Sequence, residues 1–413
     1  MSNSRSTNIT KMADKYYKKG NISEAIQLYK QAAELDDAVA QYNLGLLLYK
    51  QSKDDLVYNE AYNWFKKAAQ AGISNAQYMI GQMYKKGLGV LPDKKNAFDW
   101  YMQAANQDHE KAKKKCQLMA KGLADEGYPP AQYYLGDLYD RNSDLENAEK
   151  WYKEAANHGF VKAYYKLGEL FYWKHFFVIM GFDEAPKEIQ EEYKQNAIEW
   201  FTRAANEGDA EAQNKLGMLY KNGDLVDKNI LIAKEYFEKA ANQGNSDAQE
   251  HLASLYFSGK IIDQDYSQAY FWLQKASEQN SACAKYGLGL MYENGLGVDP
   301  DYHKAKVLYE ESAKKGYFDA YYRLGLFYFA GVLGKPNYKK ALQSWEIAAS
   351  LYALNTLSSS YFKAKYCLSC MYFYGIGTDG KDIEKSEKIW HECREYVKQE
   401  EKEEIDKLFS QVL

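Results

Sequence analysis

A period of 36 residues constrains the fold more than any other feature of the sequence. An apolar residue followed by a small one recurs ahead of an aromatic side chain, and the regular examples stand 36 residues apart: Leu216-Gly217, Leu252-Ala253, Leu288-Gly289 and Leu324-Gly325. The pair recurs at looser spacing as Met12-Ala13, Leu44-Gly45, Ile80-Gly81, Leu135-Gly136, Leu167-Gly168 and, degraded, Leu368-Ser369. Such a period predicts an array of ten small units, each packed on its neighbours.

Every unit carries the pattern of two helices. The stretch 212–220 places its apolar residues on one helical face, with glycine where a second helix would approach closely, and the stretch 233–241 repeats an amphipathic spacing. Left-handed stops are predicted after the first helix at Gly87, Gly223, Gly259, Gly295, Gly331 and Gly375. Side-chain N-caps are predicted before the second at Asn21, Asp93, Asp144, Asn229, Asp265, Asp301, Asn337 and Asp382. Each unit is therefore helix A, loop, helix B.

The regular units resemble a known repeat. The run GDAEAQNKLGMLYKNG at 208–223, followed by 233–244, is similar to the Sel-1-like repeat, a longer-looped relative of the tetratricopeptide repeat. The similarity is close over 61–107 and 204–349 and looser elsewhere, so it covers most of the chain. It implies an all-α, right-handed α-α superhelical solenoid. It also implies an adaptor or scaffold for protein complexes, with no chemistry of its own in most members.

Departures from the period divide the predicted array into four segments. They are N-terminal repeats 1 to 3 at 1–107, irregular repeats at 108–207, regular 36-residue repeats at 208–350, and a degenerate last repeat with a C-terminal capping helix at 351–413. The irregular segment holds an orphan helix near 112–120, which lacks a helix B. It also holds an insertion at 173–195, which we expect to form a loop between helices A and B.

Charge and hydropathy narrow the class of protein. The net charge of −4 and the pI near 6.0 give no basic stripe for nucleic acid. The N-terminal residues are polar, and the longest apolar run, 176–182, is far shorter than the roughly 20 residues that span a bilayer. We therefore expect a cytoplasmic protein without nucleic-acid binding and without a membrane span.

The sequence contains no convincing metal-binding or catalytic site. Cys367, Cys370, His391 and Cys393 are the one cluster with ligand types that suit zinc, but Cys370 occupies an ordinary helix position of the repeat. The six histidines fall in different units, without a nucleophile at recurrent spacing. We expect no metal, no cofactor and no catalysis; the alternative is an enzyme whose site is assembled across repeats.

Helix A lines the concave face in the related arrays, and its exposed positions here are rich in aromatic residues. The groove predicted for a partner protein contains Tyr78, Tyr133, Tyr165, Tyr286, Tyr322, Phe329, Tyr366 and Phe373. Tyrosine combines apolar area with a hydroxyl and is frequent at recognition surfaces. The alternative is that these side chains pack between successive A helices. The partner's identity and the oligomeric state are left open by the sequence.

The insertion offers a second candidate surface, formed by Trp173, Phe176, Phe177, Ile179 and Phe182. Loop insertions on one rim of a solenoid are frequently functional. These side chains either contact a partner or fold over the neighbouring unit, and the sequence favours neither interpretation.

The charged tail, 392–413, also has two interpretations. As a capping helix it gives the array a polar end. The residues 400–404, EEKEE, followed by terminal apolar residues, resemble the glutamate-rich signal of bacterial effectors translocated into host cells by type IV secretion. Unchanged delivery of a translocation-reporter fusion that lacks the last twenty residues would exclude the signal.

Overall fold

The computed structural model describes residues 2–51, 54–259, 262–350 and 359–412, and this part of the chain forms 22 α-helices and no strand. It divides into two compact units, Met1–Ala204 and Ala205–Leu413. The helices that begin in the first unit are α1 (Ser2–Lys18), α2 (Ile22–Ala33), α3 (Ala38–Gln51), α4 (Asp55–Gln70), α5 (Ser74–Lys86), α6 (Lys94–Ala105), α7 (Glu110–Asp125), α8 (Pro129–Arg141), α9 (Leu145–Asn157), α10 (Val161–Ile179) and α11 (Lys187–Asn206). The helices of the second unit are α12 (Ala210–Asn222), α13 (Ile230–Asn242), α14 (Ser246–Ser258), α15 (Tyr266–Glu278), α16 (Ala282–Asn294), α17 (Tyr302–Lys314), α18 (Phe318–Ala330), α19 (Tyr338–Ser350), α20 (Ser359–Tyr374), α21 (Ile383–Cys393) and α22 (Gln399–Ser410).

Helices A and B alternate along each unit except at α7. Consecutive helices pack on one another from α1 to α10 and from α12 to α21, and α10 contacts α11 through Gly168 and Phe201. The all-α repeat fold is confirmed, with ten A–B pairs beginning with α1 and α2 and ending with α20 and α21. The helix α7 lies between α6 and α8 without a helix B of its own. The helix α22 follows the last pair and packs on α20. The four-segment division stays a prediction, and its last boundary adjoins 351–358, which lie outside the described residues.

Glycine in the Leu-Gly pair makes room for an aromatic ring of the same repeat. In helix B the residue four positions after the first alanine is aromatic in most repeats, and its ring lies against the glycine of helix A. The pairs are Gly45 with Phe65, Gly81 with Tyr101, Gly136 with Tyr152, Gly168 with Phe201, Gly217 with Phe237, Gly289 with Tyr309 and Gly325 with Trp345. A β-carbon on the first six glycines would lie 2.5 to 2.9 Å from the ring. These glycines are therefore fixed by packing.

The predicted helix ends are confirmed, with one exception. All six predicted stop glycines have a positive φ, from 59° at Gly259 to 85° at Gly223. Seven of the eight predicted N-cap side chains accept a hydrogen bond from a backbone N–H of the first turn. The prediction for Asn21 is wrong, because its side chain makes no such bond.

A ladder of buried glutamines links successive repeats, and the sequence patterns did not reveal it. Each side-chain amide donates a hydrogen bond to the carbonyl of an alanine eight residues earlier, in the last turn of the preceding helix. The donors are Gln41, Gln77, Gln132, Gln213 and Gln249, at 3.0 to 3.4 Å. These bonds satisfy carbonyls that a helix end leaves without an intrahelical partner. The only sequence signal is a recurrent Ala-Gln pair near the start of helix A.

Two buried tyrosines of the ring–glycine pairs differ in the hydrogen bonding of their hydroxyl groups. We therefore expect replacement by phenylalanine to change the free energy of unfolding differently at the two positions. The Tyr309 hydroxyl donates to Glu293, which also pairs with Arg323 at 3.3 Å. The Tyr101 hydroxyl has no partner within the described residues. Tyr309→Phe should lower the free energy of unfolding by about 1 to 2 kcal/mol, and Tyr101→Phe should leave it unchanged or raise it. Urea titration of both variants would measure this, and equal losses would contradict it.

Candidate protein-binding surfaces

Four tyrosines of the predicted groove are half-buried by rings of their own repeat. Tyr78, Tyr133, Tyr165 and Tyr286 lie 5.6 to 5.8 Å from the helix B ring of the same repeat, with interplanar angles of 43° to 53°. Three of them also contact a ring that precedes or begins the next repeat: His109 at 4.8 Å from Tyr78, Phe160 at 5.2 Å from Tyr133 and Tyr317 at 5.1 Å from Tyr286. Burial raises the pKa of Tyr133 and of Tyr286. This regular geometry supports the packing role that the sequence left as the alternative.

Three other predicted groove residues are not accessible, and the expectation that they are exposed is wrong. Phe329 has no exposed surface, and Tyr322 and Tyr366 are 7% and 8% exposed. The physical reason is α22, whose Ile405 and Phe409 join these three side chains in one buried cluster. The ring centroids of Phe409 and Phe329 are 4.4 Å apart.

Polar contacts hold α22 in this position. The Tyr366 hydroxyl donates to Asp406 at 2.9 Å. The Lys363 ammonium lies 2.8 Å from Glu401, whose carboxylate also accepts from the backbone N–H of Lys398. The charged tail therefore contains a folded helix, α22, which packs against the A helices of the last two repeats, α18 and α20. Of the predicted groove residues at this end, Phe373 alone keeps a large exposed fraction, 46%.

The insertion does not form the predicted loop. The helix α10 continues to Ile179, and only 180–186 connect it to α11. The reason is that no glycine, proline or capping residue interrupts the sequence from Phe171 until Gly181, which has φ of 76°. The helix α10 is therefore longer than the other A helices, and its additional turns carry Trp173, Phe176 and Phe177.

The extended end of α10 and the residues that follow it carry six apolar side chains, which we call the insertion surface: Trp173, Phe176, Phe177, Ile179, Met180 and Phe182. Phe176 is half-buried, and the other five are 38% to 72% exposed, with Phe182 the highest. Trp173 lies 5.4 Å from Phe176 and 6.0 Å from Phe177, and Phe177 lies 6.2 Å from Phe182, between ring centroids. The rings therefore contact one another while exposing much of their area.

Ionic contacts fix the base of this extension. The Lys174 ammonium lies 2.5 Å from Glu149 and 5.4 Å from the Phe171 ring. Burial disfavours the charged form of Glu149, but hydrogen bonds from Lys153 and Lys174 hold the pKa of its carboxyl below the usual value. The insertion surface is thus attached to the repeat through a partly buried carboxylate with two lysine partners.

A cleft of about 630 Å³ adjoins the insertion surface. Trp173 and Phe177 form one side, Leu145 and Leu170 contribute apolar walls, and the ion pair of Lys166 with Glu169, at 2.8 Å, adds polar groups. The volume lies within the range of ligand pockets. An apolar side chain of a partner could enter this cleft beside the exposed rings.

Of the cysteines in the cluster that could suit zinc, Cys367 and Cys393 are buried and Cys370 is partly buried. Burial raises the pKa of Cys370 to about 12 and that of Cys393 to about 11, and it raises the pKa of Cys367 as well. These thiols are therefore protonated at neutral pH. Within the described residues, no group of three or more His, Cys, Asp or Glu side chains is placed to hold a metal ion, and no helix combines the length and apolarity that crossing a membrane requires.

The paired helices, ring–glycine contacts and glutamine ladder define a helical repeat protein of the solenoid class. The Sel1 repeat matches nine stretches of the chain, 38–73, 74–109, 129–160, 192–209, 210–245, 246–281, 282–317, 318–352 and 363–391, and a TPR repeat matches 13–52. The chain belongs to the Sel1 repeat family. Proteins with this fold are generally non-catalytic scaffolds for protein–protein interaction.

Solved structures with related sequences include two bacterial proteins of similar length. A protective antigen of uropathogenic Escherichia coli with an SLR fold is 24% identical, covers 94% of both chains and has a TM-score of 0.44. A Sel1 repeat protein from Oxalobacter formigenes is 23% identical over 92% of this chain and 89% of that one, with a TM-score of 0.47. Among curated proteins, no match to this chain is found.

Proposed function

We propose that this protein is a non-catalytic scaffold that binds a partner protein through the insertion surface. The observation that carries the proposal is the group of exposed rings that contact one another at the end of α10, beside exposed Ile179 and Met180. Large exposed apolar patches on soluble proteins mark interaction sites. Tryptophan is also among the residues that contribute most to binding energy at interfaces.

The geometry favours this surface over the groove. The groove tyrosines use their rings in contacts within and between repeats, and α22 covers Tyr322, Phe329 and Tyr366. Trp173, Phe177 and Phe182 instead contact one another and remain substantially exposed. Because the adjoining cleft is partly apolar, a partner side chain could be buried next to the rings. Groove binding stays a prediction for Tyr78, Tyr133, Tyr165 and Tyr286, as do a cytoplasmic location and translocation into a host cell.

The test is quantitative affinity capture with three full-length proteins. The first is wild type, and the second carries Trp173→Ala, Phe177→Ala and Phe182→Ala. The third is a matched control with Leu56→Ala, Leu91→Ala and Leu118→Ala, which removes isolated side chains of the same unit that are 77% to 86% exposed. We expect a stoichiometric partner to be lost, by about tenfold or more, from the insertion variant alone.

Two outcomes would contradict the proposal. Full retention of the partner by the insertion variant would exclude the insertion surface. Equal loss from the control would show that general surface hydrophobicity drives the capture. Circular dichroism and urea unfolding of each variant would show whether the fold is retained, and each control substitution should change stability by less than about 0.5 kcal/mol.

A further inference from the structure

The last repeat departs from the pattern at the contact between its two helices. Ser369 occupies the position of the paired glycine in α20, and Ser386 occupies that of the first alanine in α21. Both serines are buried, and they hydrogen-bond reciprocally: the Ser369 hydroxyl donates to the Ser386 carbonyl at 3.1 Å, and the Ser386 hydroxyl donates to the Ser369 carbonyl at 2.9 Å. Polar side chains thus occupy a crossing that is glycine against a ring in seven of the other repeats.

The aromatic residue at the ring position of the last repeat is Trp390, and its side chain is not buried like the other rings. Trp390 stands four residues after Ser386, as Trp345 stands four residues after Ala341. Trp345 is completely buried against Gly325, but Trp390 is 38% exposed. The last repeat thus combines a serine at the glycine position with an indole that is partly exposed at the side of the repeat.

A cleft of about 600 Å³ adjoins the two serines and Trp390. Phe373 and Trp390 provide aromatic walls, Asp406 and Glu387 contribute carboxylates, and the two serines are among the remaining lining residues. None of the described residues that line this cleft is lysine or arginine. Its volume is typical of ligand sites, and its two acidic lining residues have no basic residue beside them in the lining.

The chemistry of the lining selects a cation with an apolar stem. Aromatic faces attract ammonium and guanidinium groups, tryptophan most strongly, and carboxylates pair with the same groups. Trp390 already shows this preference, because the Arg394 guanidinium lies 5.0 Å from its ring centroid. Asp406 is held in place by the Tyr366 hydroxyl at 2.9 Å and has further acceptor sites.

We propose that the cleft between α20, α21 and α22 binds an alkylammonium or guanidinium group carried on an apolar stem. Two sources supply this chemistry: a lysine or arginine side chain of a partner protein, or a free organic amine. The site lies in the second unit and does not depend on the insertion surface, so the two proposals can fail separately.

The test follows the indole of Trp390 in the full-length protein. The chain is labelled with 5-fluorotryptophan, and the fluorine resonance of Trp390 is assigned with a Trp390→Phe sample. Phenethylamine and N-acetylarginine methylamide serve as cationic probes, and 2-phenylethanol and N-acetylcitrulline methylamide as their neutral counterparts. We expect the cationic probes to shift the Trp390 resonance in a saturable manner and the neutral ones to leave it unchanged. Tighter binding of the arginine derivative would indicate a protein side chain, and tighter binding of phenethylamine a free amine.

Substitutions in the cleft distinguish the effect of its carboxylate charges on binding from the effect of its shape. Asp406→Asn with Glu387→Gln removes both charges but keeps an acceptor for Tyr366, and it should weaken the cationic probes by about tenfold or more. Glu384→Gln, on the same helix but outside the cleft, is the matched control and should have no effect. Ser369→Gly with Ser386→Ala restores the pattern of the other repeats and should let Trp390 pack inward, which closes the cleft.

Either of two results would overturn the proposal. The first is an equal shift of Trp390 by the neutral probes, and the second is undiminished binding of the cationic probes by the charge-removing variant. If the serine variant does not fold, the charge-removing variant and Glu384→Gln still decide the question.

Discussion

Replacement of Phe409 by alanine is expected to lower the free energy of unfolding by about 3 to 5 kcal/mol. The Phe409 ring is 1% exposed and lies 4.4 Å from Phe329 and 6.3 Å from both Trp345 and Tyr374, between ring centroids. Its removal leaves a cavity between α22 and three aromatic side chains of the preceding helices. Because α22 is a terminal element, the loss should first appear as local detachment of this helix.

Urea unfolding and hydrogen exchange of the full chain would measure this effect. Amides of α22 should exchange faster in Phe409→Ala, and an environment-sensitive dye should bind the newly exposed Phe329 and Tyr322. Lys407→Ala is the matched control on the exposed side of the same helix and should change stability by less than about 0.5 kcal/mol. Unchanged exchange in α22 would show that Phe409 does not hold this helix in place.

The second large effect concerns Gly136, whose added β-carbon would lie 2.5 Å from the Tyr152 ring. Alanine favours an α-helix over glycine by about 1 kcal/mol. Overpacking of a filled interior, however, costs about 1 to 3 kcal/mol and sometimes more, and the Tyr152 ring is completely buried. We therefore expect Gly136→Ala to lower the free energy of unfolding by about 2 kcal/mol in spite of the better helix propensity.

A double-mutant cycle tests the cause of that loss. The repeat of α14 and α15 has alanine at the glycine position and leucine at the ring position, Ala253 and Leu273, and both are buried. Gly136→Ala with Tyr152→Leu copies this pair, so its cost should be smaller than the sum of the two single changes by about 1 kcal/mol or more. Gly122→Ala in α7 is the control, because nothing lies within 4 Å of its added carbon, and it should be neutral or stabilising. Additive losses would contradict the ring–glycine explanation.

Local features of this fold could be predicted from the sequence because they depend on spacing within one repeat. The stop glycines, seven of eight N-caps and the close approach at Leu-Gly pairs each involve residues near in sequence or in fixed register. The loop prediction for the insertion is wrong for a reason that is also local: the apolar run to Ile179 contains no helix-breaking residue, so the helix continues through the residues that interrupt the period.

The candidate surfaces were harder to predict because they depend on distant contacts. The charges of the tail obscured the spacing of Ile405 and Phe409, which lie four residues apart and bury one face of α22. That helix then covers Tyr322, Phe329 and Tyr366, which lie far back in the sequence. The Leu-Gly pattern identified Ser369 as a departure, but only the structure showed that Trp390 of the same repeat is exposed beside a cleft.

The ring–glycine contact also bears on how the array can change in length. Both members of each contact belong to one repeat, and the glutamine ladder reaches the preceding repeat through a backbone carbonyl, which every amino acid provides. A duplicated or deleted segment of one period would therefore carry its own internal contact and find the same acceptor at the junction. Surfaces such as the insertion and the last cleft could change their separation along the chain by whole repeats, without redesign of the contacts that hold adjacent repeats together.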